Sequence, residues 1–97
     1  MTLREVIADI HALSQDLESY ESKYGVLTET FYEAYTRGEE PEEAWVLDWA
    51  DWAGVYKILL RRQEQYRRAI QALRGEDPNL TQVIGKTSRH ERIPVAS

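Results

Sequence analysis

Apolar and aromatic side chains in this chain recur at alternating gaps of three and four residues over two long stretches. That spacing limits the fold more than any other feature. The first stretch runs Leu3, Val6, Ile10, Leu13, Leu17, Tyr20 and Tyr24. The second runs Trp45, Trp49, Trp52, Tyr56, Leu59, Gln63, Tyr66, Ile70 and Leu73. A mean spacing of 3.5 places one residue per turn along a single side of an α-helix, as in a coiled-coil seam. A strand would need a period of two. The pattern therefore predicts an all-α fold with two long amphipathic helices, over about 3–24 and 42–74.

Local signals set the ends of these helices. Thr2 and Glu5 have the spacing of a capping box, in which a hydroxyl accepts from the third helical N–H. Gly25 can take the left-handed conformation that closes a helix. A short connecting helix is predicted at about 29–37, with Thr28 as its N-cap, Leu27 and Tyr32 as a staple, and Gly38 as its stop. So short a helix needs neighbours to hold it in water. Pro41 suits the first turn of the next helix, where its missing N–H costs nothing, and Glu42 and Glu43 complement the positive end of the helix dipole. Arg61, Arg62, Arg67, Arg68 and Arg74 lie toward its other end. Gly54 is the weak point within it.

At 1.5 Å per residue the two long helices span roughly 33 Å and roughly 50 Å. Folded antiparallel, the first two helices would line most of the third. Helix three also carries Val46, Ala53, Val55, Ile58 and Leu60 outside the seam. One hairpin does not cover all of these, so a homodimer or higher oligomer is expected. The oligomer seam would comprise Leu3, Val6, Ile10, Leu13, Leu17, Trp49, Tyr56, Leu59, Gln63, Tyr66, Ile70 and Leu73, with Gln63 as a polar residue that sets register. The helical domain is expected over 1–75. Residues 76–97 start with the turn chemistry of Asp77-Pro78-Asn79 and carry two apolar islands, Leu80/Val83/Ile84 and Ile93/Val95. They are expected to form a flexible tail that orders on a partner.

Charge narrows the partners. Residues 1–60 hold 4 Lys/Arg against 13 Asp/Glu, a net −9, whereas residues 61–97 hold 8 against 4, a net +4. The acidic part repels a phosphate backbone and attracts a basic protein. Nucleic acid is not the expected ligand. The arginines of helix three bring no known DNA-binding motif with them, although a nucleic-acid-associated role for that end stays open as an alternative. No apolar run reaches membrane-spanning length, and the start of the chain lacks the pattern of a secretory signal, so a cytoplasmic protein is expected.

Catalytic chemistry finds little material. The chain has no cysteine, and its two histidines, His11 and His90, stand far apart without companions at metal-ligand spacing. It contains no phosphate loop and no nucleophile elbow. The expectation is a non-enzyme without metal or cofactor. Asp48 and Asp51 share a helical side amid Trp45, Trp49 and Trp52. They form either a polar edge beside an aromatic core or an acidic, aromatic-rimmed patch that receives lysines or arginines. On the second reading Trp45, Asp48, Asp51 and Trp52 bind the partner, and Leu80, Val83 and Ile84 anchor the tail on it.

One stretch also resembles a known family. Glu21-Ser22-Lys23-Tyr24-Gly25, then Phe31 and Tyr35, then Gly38-Glu39-Glu40, then Trp45 and Trp49 are similar to a pattern found in small bacterial antitoxins of two-gene toxin–antitoxin modules. The resemblance covers roughly residues 15–60. It implies a helical protein that neutralises a small, basic, RNA-directed toxin. The alternative without such a partner is a homo-oligomeric helical scaffold or adaptor.

Overall fold

The computed structural model describes residues 1–76, 79–88 and 93–95. The described residues are all-helical apart from turns and one isolated antiparallel bridge between Thr2 and Pro94. Helix α1 spans Leu3–Tyr24 and α2 spans Thr28–Thr36. A single 3-10 turn at Glu43–Trp45 leads into α3, Val46–Glu76, which is unbroken at Gly54. A further helix, α4, spans Leu80–Ser88. None of these helices is long and apolar enough to cross a membrane.

The caps show why the boundaries fall where they do. The Glu5 N–H donates to Thr2 Oγ1 at 3.3 Å. Gly25 and Gly38 sit at φ of 75° and 87°, conformations that an added Cβ would strain. After α2, the Gly38 N–H donates to the Tyr35 carbonyl and the Glu39 N–H to the Ala34 carbonyl, the paired bonds of a Schellman end. The start of α2 differs from expectation. Leu27 occupies the cap position without a side-chain bond, and Thr28 is the first helical residue. Its N–H and its hydroxyl both donate to Glu21 Oε2, each at 2.9 Å. A carboxylate from the preceding helix thus does the capping, with its charge at the positive end of α2.

The chain forms two compact units, Met1–Ile10 with Leu60–Ser97, and His11–Leu59. In the first, Leu3, Ala69, Leu73 and Val83 are buried together, with Ile7, Ile70, Ile93 and Val95 packed against them. The Leu3 N–H donates to the Ile93 carbonyl and the Val95 N–H to the Met1 carbonyl, both at 2.9 Å. Within the segment expected as a flexible tail over 76–97, residues 80–88 are helical, and Ile93 and Val95 pack on the same core. Asn79 caps α4, accepting the Thr81 N–H on Oδ1 at 2.8 Å. Val83 is 2% exposed. The turn expected at Asp77 and Pro78, and His90, lie outside the described residues.

The second unit is built on aromatic rings. Trp52, 1% exposed, stacks on Phe31 with ring centroids 3.9 Å apart and planes 2° from parallel. Tyr20 and Tyr24 stack on Trp52 as well, each at 5.6 Å. Leu17, Ala53 and Leu59 complete the buried apolar set. The Trp52 Nε1–H donates to Thr28 Oγ1 at 3.0 Å, so a chain of hydrogen bonds runs from the indole through Thr28 to Glu21. A buried indole N–H usually finds such an acceptor.

The seam positions divide by burial. On α1, Leu3, Val6 and Leu17 are buried, and Ile10 and Leu13 are half-buried. On α3, Leu59 and Leu73 are buried with Trp52, at separations that are multiples of seven. The alternate positions Trp49, Tyr56, Gln63 and Ile70 are only half-buried, and Tyr66 is exposed. Gln65, outside the seam, is the buried glutamine, and its Oε1 accepts from Arg62. Among the described residues no large apolar side chain of α1 is exposed. The excess apolar surface lies instead on Met1, Val26, Leu27 and Trp45, and on α3 and α4.

Candidate partner-binding site

The unit formed by His11–Leu59 holds 3 basic and 11 acidic residues, a net −8. Within it the end of α1, α2 and the start of α3 enclose a groove of about 250 Å³. Tyr24, Phe31, Trp45, Trp49 and Trp52 supply five rings to its lining, and Val26, Thr30 and Ala34 fill between them. The lining is almost wholly apolar. Its ring planes lie in two directions. Trp45 and Trp49 are within 18° of parallel, whereas Trp45 stands at 78° to Tyr24 and Trp49 at 85° to Phe31. Edge-to-face packing of this kind sets the positive ring edge of one aromatic against the negative face of the next.

Sequence spacing explains this geometry. Trp45, Trp49 and Trp52 fall one per turn on adjoining turns, and Tyr20 and Tyr24 do the same on α1. Gly25 and Gly38 turn the chain so that Phe31 from α2 reaches Trp52. Val26 and Trp45 are exposed at 41% and 36%, and their neighbours Leu27, Val46 and Leu47 are exposed too. Exposed apolar residues at and beside a groove mark a candidate interaction site.

Charge lies one hydrogen bond from the groove. The Tyr24 hydroxyl donates to Asp48 Oδ2 at 2.6 Å, and Lys23 Nζ donates to the same oxygen at 2.6 Å. These two donors hold the Asp48 carboxyl below the usual carboxylate range, and the bond to Asp48 raises Lys23 above its ordinary value. Lys23 Nζ also lies 5.5 Å from the centroid of the Tyr24 ring. On the next turn Asp51 accepts from the Tyr20 hydroxyl. That bond, followed by burial and the charges of Asp51, Asp48 and Asp16, pushes Tyr20 up to about 12.

The residues singled out from the sequence are thus brought together only in part. Trp45, Asp48, Asp51 and Trp52 share one unit, but Trp52 is sealed in the core and lines only the floor of the groove. Leu80 and Ile84 lie on one side of α4 and are 52% and 51% exposed, while Val83 faces inward. The arginines of α3 are largely engaged. Arg67 and Arg68 both donate to Glu64, and Arg62 donates to Asp9 and Gln65. Lys23, Glu21 and Thr28 belong to this region although spacing and composition did not single them out for it. Only Lys23 carried a signal, as one of just three basic residues in an acidic stretch. Compared with protein families, curated proteins and solved structures, the chain matches none of them.

Proposed function

We propose that this chain is a cytoplasmic protein-binding module without catalytic activity, antitoxin-like in action, that captures a small basic protein. One observation carries the reading: an apolar, aromatic-walled groove opens on a unit whose net charge is −8. Acidic surface speeds encounter with a basic partner, and desolvated apolar contacts then supply most of the holding energy. Leu80 and Ile84 offer a second apolar contact on α4. The antiparallel pairing of α1 with α3 expected from the sequence belongs to the same reading. It is supported within the acidic unit by Tyr20 with Asp51 and Tyr24 with Asp48, and within the other unit by Asp9 with Arg62. Engagement of Arg62, Arg67 and Arg68 by neighbouring side chains argues against a nucleic-acid role.

The test is co-expression with the product of an adjacent short, basic reading frame. The expected result is a complex that copurifies, weakens as salt rises, and relieves any growth arrest the neighbour causes. A neighbour that neither copurifies nor is neutralised overturns the reading.

A second reading is self-association, favoured by the exposure of Leu47, Ile58 and Leu60 on α3 at 84%, 39% and 41%. Light scattering across a concentration series decides it, with a dimer expected and a monomer at all concentrations refuting it.

A further inference from the structure

The groove is apolar, yet the unit around it is strongly acidic, and those two facts together narrow what enters it. A leucine or phenylalanine would use the walls and leave the charge idle. A lysine or arginine would use both. The structure already contains a small example of such an encounter. Lys23 Nζ lies 5.5 Å from the centroid of the Tyr24 ring, which lines the groove, and bonds to Asp48 Oδ2, so the chain's own cation already meets a groove ring and a carboxylate just outside the lining. Its side chain is 62% exposed, against 29% for Asp48. The ammonium is therefore largely open to solvent.

We propose that the groove receives an arginine side chain of the partner protein, its guanidinium laid on Trp45 and paired with Asp48, displacing Lys23. This rests on the protein-binding reading given above. Arginine fits better than lysine for two reasons. Its planar, weakly hydrated guanidinium stacks on an indole at small desolvation cost, and its fork of donors matches a carboxylate. Trp45 is the most exposed of the three indoles and stands almost perpendicular to Tyr24, whose hydroxyl fixes Asp48. An arginine stem entering along Val26 buries its methylenes while its head reaches the acid. Lys23 then acts as a built-in competitor that keeps Asp48 neutralised until a better cation arrives.

The experiment uses the full chain labelled with nitrogen-15 and follows the three indole N–H resonances during titration with N-acetyl-arginine amide. The control is N-acetyl-citrulline amide, which has nearly the same shape and no charge. The arginine compound is expected to shift the Trp45 resonance saturably, and the citrulline compound to leave it unmoved. Lys23→Gln is expected to tighten binding about threefold, whereas Arg37→Gln, an equal change of charge at a residue bonded to Glu33 away from the groove, leaves it unchanged. Asp48→Asn, read on the Trp45 resonance, and Trp45→Leu, read on the neighbouring Trp49 resonance, each checked for retained helix by circular dichroism, should weaken binding by about three- to tenfold.

Equal shifts with citrulline show an apolar groove with no preference for a cation and overturn the proposal. Equal tightening by the two charge variants shows diffuse attraction and overturns it as well, as does binding that survives both groove variants. None of these results touches the capture of a basic protein, which is read separately by co-expression.

Discussion

Replacement of Trp52 by alanine tests the core on which the groove is built. The indole is 1% exposed and touches three other rings, Tyr20, Tyr24 and Phe31, the last at 3.9 Å and parallel. Truncating a buried tryptophan costs about 3–5 kcal/mol, the spread depending on how far the surroundings collapse. Collapse is limited here, because the stacked rings are held on two other helices, α1 and α2. The upper part of the range, about 4–5 kcal/mol, is therefore expected. Against the total of about 5–15 kcal/mol for domains of this kind, that removes from about a quarter to nearly all of the stability. A chain of this length loses about 4–8 °C of melting temperature per kcal/mol, so a fall of about 16–40 °C should appear.

The companion variant Trp52→Phe separates the two parts of the effect. It keeps a ring on Phe31 but gives up the N–H bond to Thr28 Oγ1. The expected cost is about 1–2 kcal/mol, mostly from the smaller ring and the lost donor. Urea unfolding followed by far-ultraviolet circular dichroism measures both, with the slope checked for constancy between variants. An alanine variant within about 1 kcal/mol of the parent would refute a core centred on this indole. A phenylalanine variant as damaged as the alanine one would show that the hydrogen bond, not the ring stack, holds the unit.

Further predictions come from other side chains. Thr28→Val removes the hydroxyl shared by Glu21 and Trp52 and should lower stability by about 1–3 kcal/mol in urea titrations; a neutral result would show that the chain of hydrogen bonds carries no weight. Val83→Asp places a charge among Leu3, Ala69 and Leu73 and should release α4, seen as rapid amide exchange over 80–88; protection equal to that of the parent would show α4 is held by something else. Tyr20 has its folded pKa raised to about 12, above the ordinary value of 10.0, so its bond to Asp51 contributes stability fully below pH 10 and loses it as pH rises toward 12. Tyr20→Phe should flatten the alkaline decline in urea midpoint, and an unchanged decline would assign it to other groups.

The helices were legible because their signals are local. The 3,4 spacing needs only neighbouring turns, and Gly25 and Gly38 announce themselves wherever a left-handed residue must close a helix. The limits of α1 follow from Thr2, Glu5 and Gly25 alone. What was not legible depends on neighbours distant in sequence. Thr28 looks like a cap by residue type, and only the return of α2 against Glu21 converts it to a helical residue capped from outside. Helix α4 was hidden by its brevity. Leu80, Val83 and Ile84 have helical spacing, but nine residues with Gly85 inside are too few to declare a period, and burial of Val83 supplies what propensity does not.

The acidic residues of the site differ in what they are free to do. Asp48 and Asp51 each accept internal hydrogen bonds, from Lys23 and Tyr24 and from Tyr20, so they serve the packing of α1 on α3 within their unit as well as its charge. Glu39, Glu40, Glu42 and Glu43 lie exposed in the segment between α2 and α3. On the capture reading, changing Asp48 or Asp51 acts on stability as well as on capture, so retained folding is checked beside binding. Reversing Glu42 and Glu43 to lysine changes the unit's charge from −8 to −4 and leaves the aromatic core untouched, because both side chains point into solvent. On the capture reading, that double variant keeps the parent's melting temperature yet associates more slowly with a basic protein, with a smaller salt dependence. If its association rate at low salt equals the parent's, the acidic field has no part in recognition, and the groove alone must account for any binding.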